Sequence, residues 1–144
     1  MKNGKAAEKV LIRFQNGIYG FEETNDFILL QEDENKVIWR LQAAACPYPS
    51  LLVVDPFLIL PDYCPSLTDE QKKSLGDPEP RDLCYLSVAV IRKDPADSVV
   101  NLKSPIVINA KKRVGIQIIL EESGYPVQYR LFRQQAGRGL GQCL

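Results

Sequence analysis

The chain has 144 residues, 45 % of them hydrophobic and 25 % charged, with 18 basic and 18 acidic side chains, four cysteines and no histidine. Such a length and balance predict one soluble globular domain, and no run approaches the roughly 18 apolar residues of a membrane span. Without histidine, Ser/His/Asp and Cys/His catalysis is excluded in its ordinary form; Cys46, Cys64, Cys84 and Cys143 form no Cys-x-x-Cys pair, so no zinc or haem site, and no cofactor, is expected.

The formal net charge is zero, yet the charges are segregated. Residues 14–91 carry five basic and thirteen acidic side chains, a net of −8, while residues 1–13 and 92–144 are net basic. An acidic middle argues against wrapping nucleic acid and suits a basic protein partner. The alternative is that folding mixes these charges and no patch survives.

Met1–Glu8 is polar and lacks an apolar signal core, so it predicts a weak edge strand or a disordered arm on a cytoplasmic protein. Val10–Phe14 reads as a short strand. Gly17 and Gly20 bracket Ile18 and Tyr19, which implies backbone that needs unusual φ at both glycines. The spacing does not fit a phosphate-binding loop. Asp26–Leu30 and Val37–Gln42, joined by the charged turn Gln31–Lys36, predict a hairpin with Trp39 in or near the core.

Leu51–Tyr63 organises the prediction. Its apolar runs Leu51–Val54 and Phe57–Leu60 flank Asp55-Pro56 and read as one bent strand or as two strands meeting at a corner. The corner either solvates Asp55 or presents Asp55 and Tyr63 to a partner. Ser66–Gly76 predicts the one convincing helix, with Thr68 and Gln71 as a capping box and Gly76 and Pro78 as its stop. Leu83–Ile91, Ile106–Asn109 and Val114–Leu120 are further strands, with Val99–Leu102 leading towards the second and Val127–Phe132 a last short extended piece. Arg133–Leu144 reads as a flexible tail, which leaves 1–132 as the domain. Many short strands, one capped helix and no βαβ alternation favour a mainly β fold, a small antiparallel β-barrel-like domain. The adjacent pairs Glu22-Glu23 and Glu121-Glu122 point to opposite faces if extended and make no acid/base couple.

Three blocks now resemble one family. Phe14-Gln15-Asn16-Gly17-Ile18-Tyr19-Gly20-Phe21-Glu22 is similar to the first block of the FliW family of bacterial flagellar assembly factors. Val53-Val54-Asp55-Pro56-Phe57 with Asp62-Tyr63 resembles the second, and Asn101 to Asn109, with Pro105 between, resembles the third. Gly115-x-Gln117 and Tyr125-Pro126 fit the family's end, so the likeness runs from Val10 to Phe132. Gly17, Gly20, Pro56, Asn101, Pro105 and Asn109 are its structural positions here. The short polar start and the Ala43–Ser50 loop, with its Ala-Ala-Ala run, depart from the family pattern.

The resemblance implies a non-enzymatic cytoplasmic protein that binds flagellin and the RNA-binding repressor CsrA, releasing one to capture the other, without itself touching nucleic acid or membrane and acting as a monomer. On that reading Glu22, Glu23, Asp26, Glu32, Asp33, Glu34 and Asp55 are the carboxylates available to CsrA. Ile18, Tyr19, Phe21, Phe57 and Tyr63 are the apolar side chains available to flagellin, unless Phe21 and Phe57 belong to the core. The competing class is a small barrel that binds nucleic acid through Lys111, Lys112 and Arg113, with Tyr125 or Tyr129 as stacking groups.

Overall fold

The structure, a computed structural model, describes residues 9–132. The expectations for the polar arm and for the tail after Phe132 lie outside these residues. The elements are β1 (Lys9–Arg13), β2 (Asp26–Gln31), β3 (Ile38–Ala43), β4 (Ser50–Val54), α1 (Pro56–Ile59), α2 (Asp69–Ser74), β5 (Leu83–Val90), β6 (Val99–Val100), β7 (Ile106–Asn109), β8 (Val114–Gln117) and β9 (Tyr129–Arg130). Single turns of 3-10 helix at Pro80–Asp82 and Pro95–Asp97 precede β5 and β6.

Among the described residues nine strands follow the order β9-β6-β5-β4-β3-β2-β1-β8-β7, and β7 pairs back onto β5, which closes a barrel. Strand β5 makes the closure because it is long enough for three neighbours. Leu83–Leu86 faces β7, Ser87–Ala89 faces β4, and Ala89–Val90 faces β6. The ladders are antiparallel except for β1 against β8, a parallel contact at Arg13 and Val114 in which Arg13 N–H donates to the Arg113 carbonyl at 3.0 Å.

Alternation decides the interior. Side chains two apart on a strand share a face, and Val10, Ile12 and Phe14, then Phe27 and Leu29, Trp39 and Leu41, Leu51 and Val53, Cys84, Leu86 and Val88, and Ile106 and Ile108 meet in one cluster. Phe14 and Phe27 pack edge to face, with centroids 5.4 Å apart. Gly115 on β8 makes room for them: a Cβ there would lie 2.6 Å from the Phe14 ring.

Two outer layers cover part of the barrel. Tyr63, Tyr125 and residues of α1 pack over Val54, Ala89 and Val100. Leu67 and Leu75 flank α2 and pack with Val107 and Ile118 over β7. The capping box forms as predicted: Gln71 N–H donates to Thr68 Oγ1 at 3.1 Å, and Thr68 N–H to Gln71 Oε1 at 2.9 Å. Asn109 ties this layer to the barrel, since its Nδ2 donates to the Leu75 carbonyl at 2.6 Å and its Oδ1 accepts from Lys111 and Lys112 N–H.

One expectation is corrected. Phe57–Leu60 is neither a strand nor the continuation of one; Pro56–Ile59 is a helical turn. Asp55 Oδ1 accepts from Phe57 N–H at 2.9 Å, and Pro56 occupies the first turn, where its missing N–H costs nothing. Asp-Pro at the end of β4 is thus a helix start, and it outweighs the strand preference of the apolar run behind it. The last long strand is also shorter than expected: β8 ends at Gln117, after which Ile118 and Leu120 N–H groups donate to Pro105 and Lys103 carbonyls.

Candidate functional site

The fold sorts the seven carboxylates singled out from the sequence into two groups. Asp26 opens β2, and Glu32, Asp33 and Glu34 follow its far end. Six rises of about 3.3 Å, from Asp26 to Glu32, put roughly 20 Å between them. Glu22 and Glu23 stay with Asp26, in the loop between β1 and β2. Asp55 joins the other group, because Val54 at the end of β4 lies opposite Ile38 at the start of β3.

Several of these carboxylates have local partners. Asp26 meets Arg13 at 3.1 Å and Glu32 meets Arg40 at 3.2 Å. Asp33 shapes its turn, its Oδ1 accepting from Val37 and Ile38 N–H at 2.9 and 3.0 Å. Glu22 Oε2 accepts from Gly20 N–H at 3.1 Å. The glycines of this loop have φ of +70° at Gly17 and +91° at Gly20, as the sequence demanded. A Cβ on Gly17 would also lie 2.6 Å from the Glu22 backbone. Tyr19 N–H, donating to Gln117 Oε1 at 2.9 Å, ties the loop to β8.

The five apolar candidates divide in the same way. Ile18, Tyr19 and Phe21 belong to the glycine loop; Phe57 and Tyr63 sit at the α1 corner. Ile18, at 2 % exposure, belongs to the barrel interior, and Tyr63, at 4 %, to the layer under α1. Their side chains are committed to packing, and the Tyr63 hydroxyl donates to the Leu102 carbonyl at 2.7 Å. Tyr19, Phe21 and Phe57 remain accessible, at 54 %, 41 % and 38 %.

At the α1 corner the barrel has an open mouth. A cavity of about 340 Å³ is lined by Leu29, Lys36, Trp39, Asp55, Phe57 and Leu83–Leu86. Leu29, Trp39, Cys84 and Leu86 are inward-facing barrel residues, so the cavity opens from the interior itself. The Phe57 ring stands edge-on to Tyr63 at 5.6 Å and to Tyr85 at 5.9 Å. Trp39 Nε1–H donates to the Lys36 carbonyl at 3.1 Å, which fixes the indole at the rim. Burial, and after it the Asp55 carboxylate, pushes the Cys84 thiol pKa up. Burial likewise raises Tyr85, and it raises Tyr63 well above its ordinary value with smaller contributions from Tyr125 and Tyr85.

Sequence reading named Asp55 and Phe57 here but missed Leu29, Lys36, Cys84 and Leu86 as one site. Alternation alone puts Leu29, Trp39, Cys84 and Leu86 on the inner face, and Cys84 is the small member of that set. The nucleic-acid platform is not assembled. Tyr125 packs on Tyr63 at 4.7 Å and its hydroxyl accepts from Cys64 N–H at 2.9 Å, while Lys112 Nζ donates to the Gly76 carbonyl at 2.9 Å. Tyr129 packs in the same outer layer as Tyr63. Among the described residues no group of three or more His, Cys, Asp or Glu side chains is placed to hold a metal ion, and no helix is long and apolar enough to cross a membrane.

A closed, mostly antiparallel barrel with a short capped helix on its flank, and with accessible aromatics set beside carboxylates at two places, defines the class: a small mainly β domain with surfaces suited to other macromolecules. The family described as FliW protein matches residues 2–131, and the chain belongs to that family. It is 34 % identical over 138 residues to a flagellar assembly factor FliW of Syntrophus aciditrophicus, covering 95 % of this chain and 87 % of that one. It is 36 % identical over 128 residues to one of Caldicellulosiruptor bescii, covering 89 % and 84 %. The crystal structure of a flagellar assembly factor FliW superposes with a TM-score of 0.80 at 30 % identity, covering 94 % of this chain and 92 % of that one.

Proposed function

We propose that this protein is a cytoplasmic flagellar assembly factor that acts by binding, as a monomer, alternately to flagellin and to CsrA, and so couples the level of flagellin to its translation. Membership of the FliW family supports the flagellar role. The observation that carries a binding mechanism is the pairing of accessible aromatics with carboxylates: Tyr19 and Phe21 with Glu22, Glu23 and Asp26 at one place, and Phe57 with Asp55 and the Glu32–Glu34 turn at the other. Apolar anchors beside carboxylates suit protein partners, the anchors supplying affinity and the charges steering encounter.

The test is titration of the protein with its own cell's CsrA and flagellin, separately and then in competition, at two salt concentrations. The proposal expects both to bind, one to displace the other, and the CsrA association rate to fall as salt screens the carboxylates. Glu22→Lys with Glu23→Lys is expected to slow CsrA association, and Tyr19→Ala to weaken flagellin binding more than it lowers the melting temperature. Binding to neither partner, with salt-sensitive RNA binding in their place, would overturn the proposal.

A further inference from the structure

We propose that the cavity at the α1 corner binds a free α-amino acid with a branched or aromatic side chain, its ammonium matched by Asp55 and its carboxylate by Lys36. The space has the right scale. At about 340 Å³ it stands at the small end of natural ligand sites, which start at about 300 Å³. Leu29, Trp39, Leu86 and the Phe57 ring give it apolar walls, and Cys84, a small side chain on the inward face of β5, leaves the room between them. Glycine would leave those walls uncovered, whereas a leucine or phenylalanine side chain covers them.

Two charges of opposite sign line the same space, Lys36 and Asp55. They do not neutralise each other: among the described residues neither takes part in an ion pair. Asp55 Oδ1 caps α1 by accepting from Phe57 N–H at 2.9 Å, and its second oxygen has no hydrogen-bond partner among the described residues. Burial, and after it the Asp55 carboxylate, raises the Cys84 thiol pKa, so the carboxylate acts on the space that Cys84 lines. Lys36 has a φ of 61°, backbone that asparagine or glycine adopts at less cost. Its carbonyl accepts from Trp39 Nε1–H at 3.1 Å, which holds the residue beside the indole. The two charges select a ligand by sign. A neutral apolar molecule would take water from both and return nothing to either. A monoanion meets Lys36 and is repelled by Asp55, and a monocation meets the reverse. A zwitterion with an apolar body matches both charges and the walls at once. Such a site stands or falls apart from the function proposed above, because it does not depend on which proteins the chain binds.

The cavity carries its own reporters. Trp39 is the chain's one tryptophan, so its emission reads occupancy directly. Cys84 lines the same space, and its alkylation, followed by peptide mass spectrometry, is separable from that of Cys46, Cys64 and Cys143. The whole chain is titrated with phenylalanine and leucine, and with three compounds that each lack one feature: phenylpropanoate has no ammonium, phenylalanine amide no carboxylate, and glycine no apolar body. Slightly acidic buffer keeps every α-amine protonated. Well-fitting ligands of this size bind at ~0.1–1 mM, so the titrations extend to about 10 mM. Phenylalanine and leucine are expected to shift Trp39 emission and slow Cys84 alkylation, and the other three to bind at least about tenfold more weakly. Asp55→Asn keeps a side-chain oxygen to cap α1 while removing the charge. It is expected to bind phenylalanine about tenfold more weakly and phenylpropanoate more tightly than the wild type does. Lys36→Asn, which suits the positive φ, is expected to lose phenylalanine in the same way and to gain phenylalanine amide.

No response to phenylalanine or leucine over that range would overturn the proposal. So would phenylpropanoate or the amide binding as tightly as phenylalanine, because the cavity would then be a plain apolar hole. Equal phenylalanine affinity in the wild type and both variants would overturn it as well. Should either variant fail to fold, as judged by its unfolding midpoint, the five compounds on the wild-type chain decide the matter alone.

Discussion

The two ends of the barrel interior are built from the same alternation and packed to opposite results. Around Phe14 the space is filled: Phe27 meets the ring edge-on, and β8 supplies a glycine because nothing larger fits. Around Trp39 the same inner face ends in Cys84, and a cavity of about 340 Å³ remains between Leu29, Leu86 and the α1 corner. The difference teaches that the open end is a local choice of side chains rather than a weakness of the fold, since the strands around both regions are continuously paired. The filled end supplies stability, and the open end leaves a cavity.

The sharpest way to break that comparison is to empty the filled end. Phe14→Ala is expected to lower stability by about 3–5 kcal/mol, the usual range for deleting a buried aromatic, measured by urea unfolding; Phe14 is fully buried. A loss no greater than that of a surface substitution would mean the end is not close-packed. Gly115→Ala tests the same place from the other side. Its Cβ would lie 2.6 Å from the Phe14 ring, so a loss of about 1–3 kcal/mol is expected from overpacking, and it should shrink when combined with Phe14→Leu.

Tyr63, beneath α1, makes the comparison pH-dependent. Its phenol is held neutral by burial, with a pKa above its ordinary value of 10.0. The fold therefore has its full stability from this group below pH 10, and loses it as the pH rises and the unfolded chain ionises while the native one does not. Unfolding midpoints measured from neutral to strongly alkaline pH should fall, and Tyr63→Phe should flatten part of the fall; identical slopes would remove Tyr63 from the account. The smallest effect belongs to the exposed turn after β2. Glu34→Lys, on an exposed turn, should change stability by less than about 0.5 kcal/mol, and a larger loss would show that the turn is structural.

Much of this was legible in the chain, and for identifiable reasons. The inner face follows from period-two spacing, so Ile12, Phe14, Phe27, Leu41 and Val53 are assigned by counting. The helix at Asp69–Ser74 follows from its capping box, and the strained loop from Gly17 and Gly20. The turn at Pro56–Ile59 was misread because Phe57–Leu60 has strand composition, and the deciding signal was the pair before it, Asp55 as cap and Pro56 in the first turn. The mouth was legible only in pieces. Leu29, Trp39, Asp55 and Cys84 are distant in sequence, and they meet because β2, β3, β4 and β5 are successive neighbours in the sheet. The parallel contact between β1 and β8 is likewise a product of closure, with no local signature at Arg13 or Val114.

The central proposal is that partners engage the accessible aromatics and carboxylates at both places while the packed interior around Phe14 stays as it is. Amide hydrogen exchange of the whole protein, alone and saturated with CsrA, tests it most directly. The account predicts slowed exchange across residues 20–26, 32–37 and 55–60, with the amides of Phe14 and Phe27 unchanged. A saturated complex that leaves all three segments exchanging as in the free protein would contradict it.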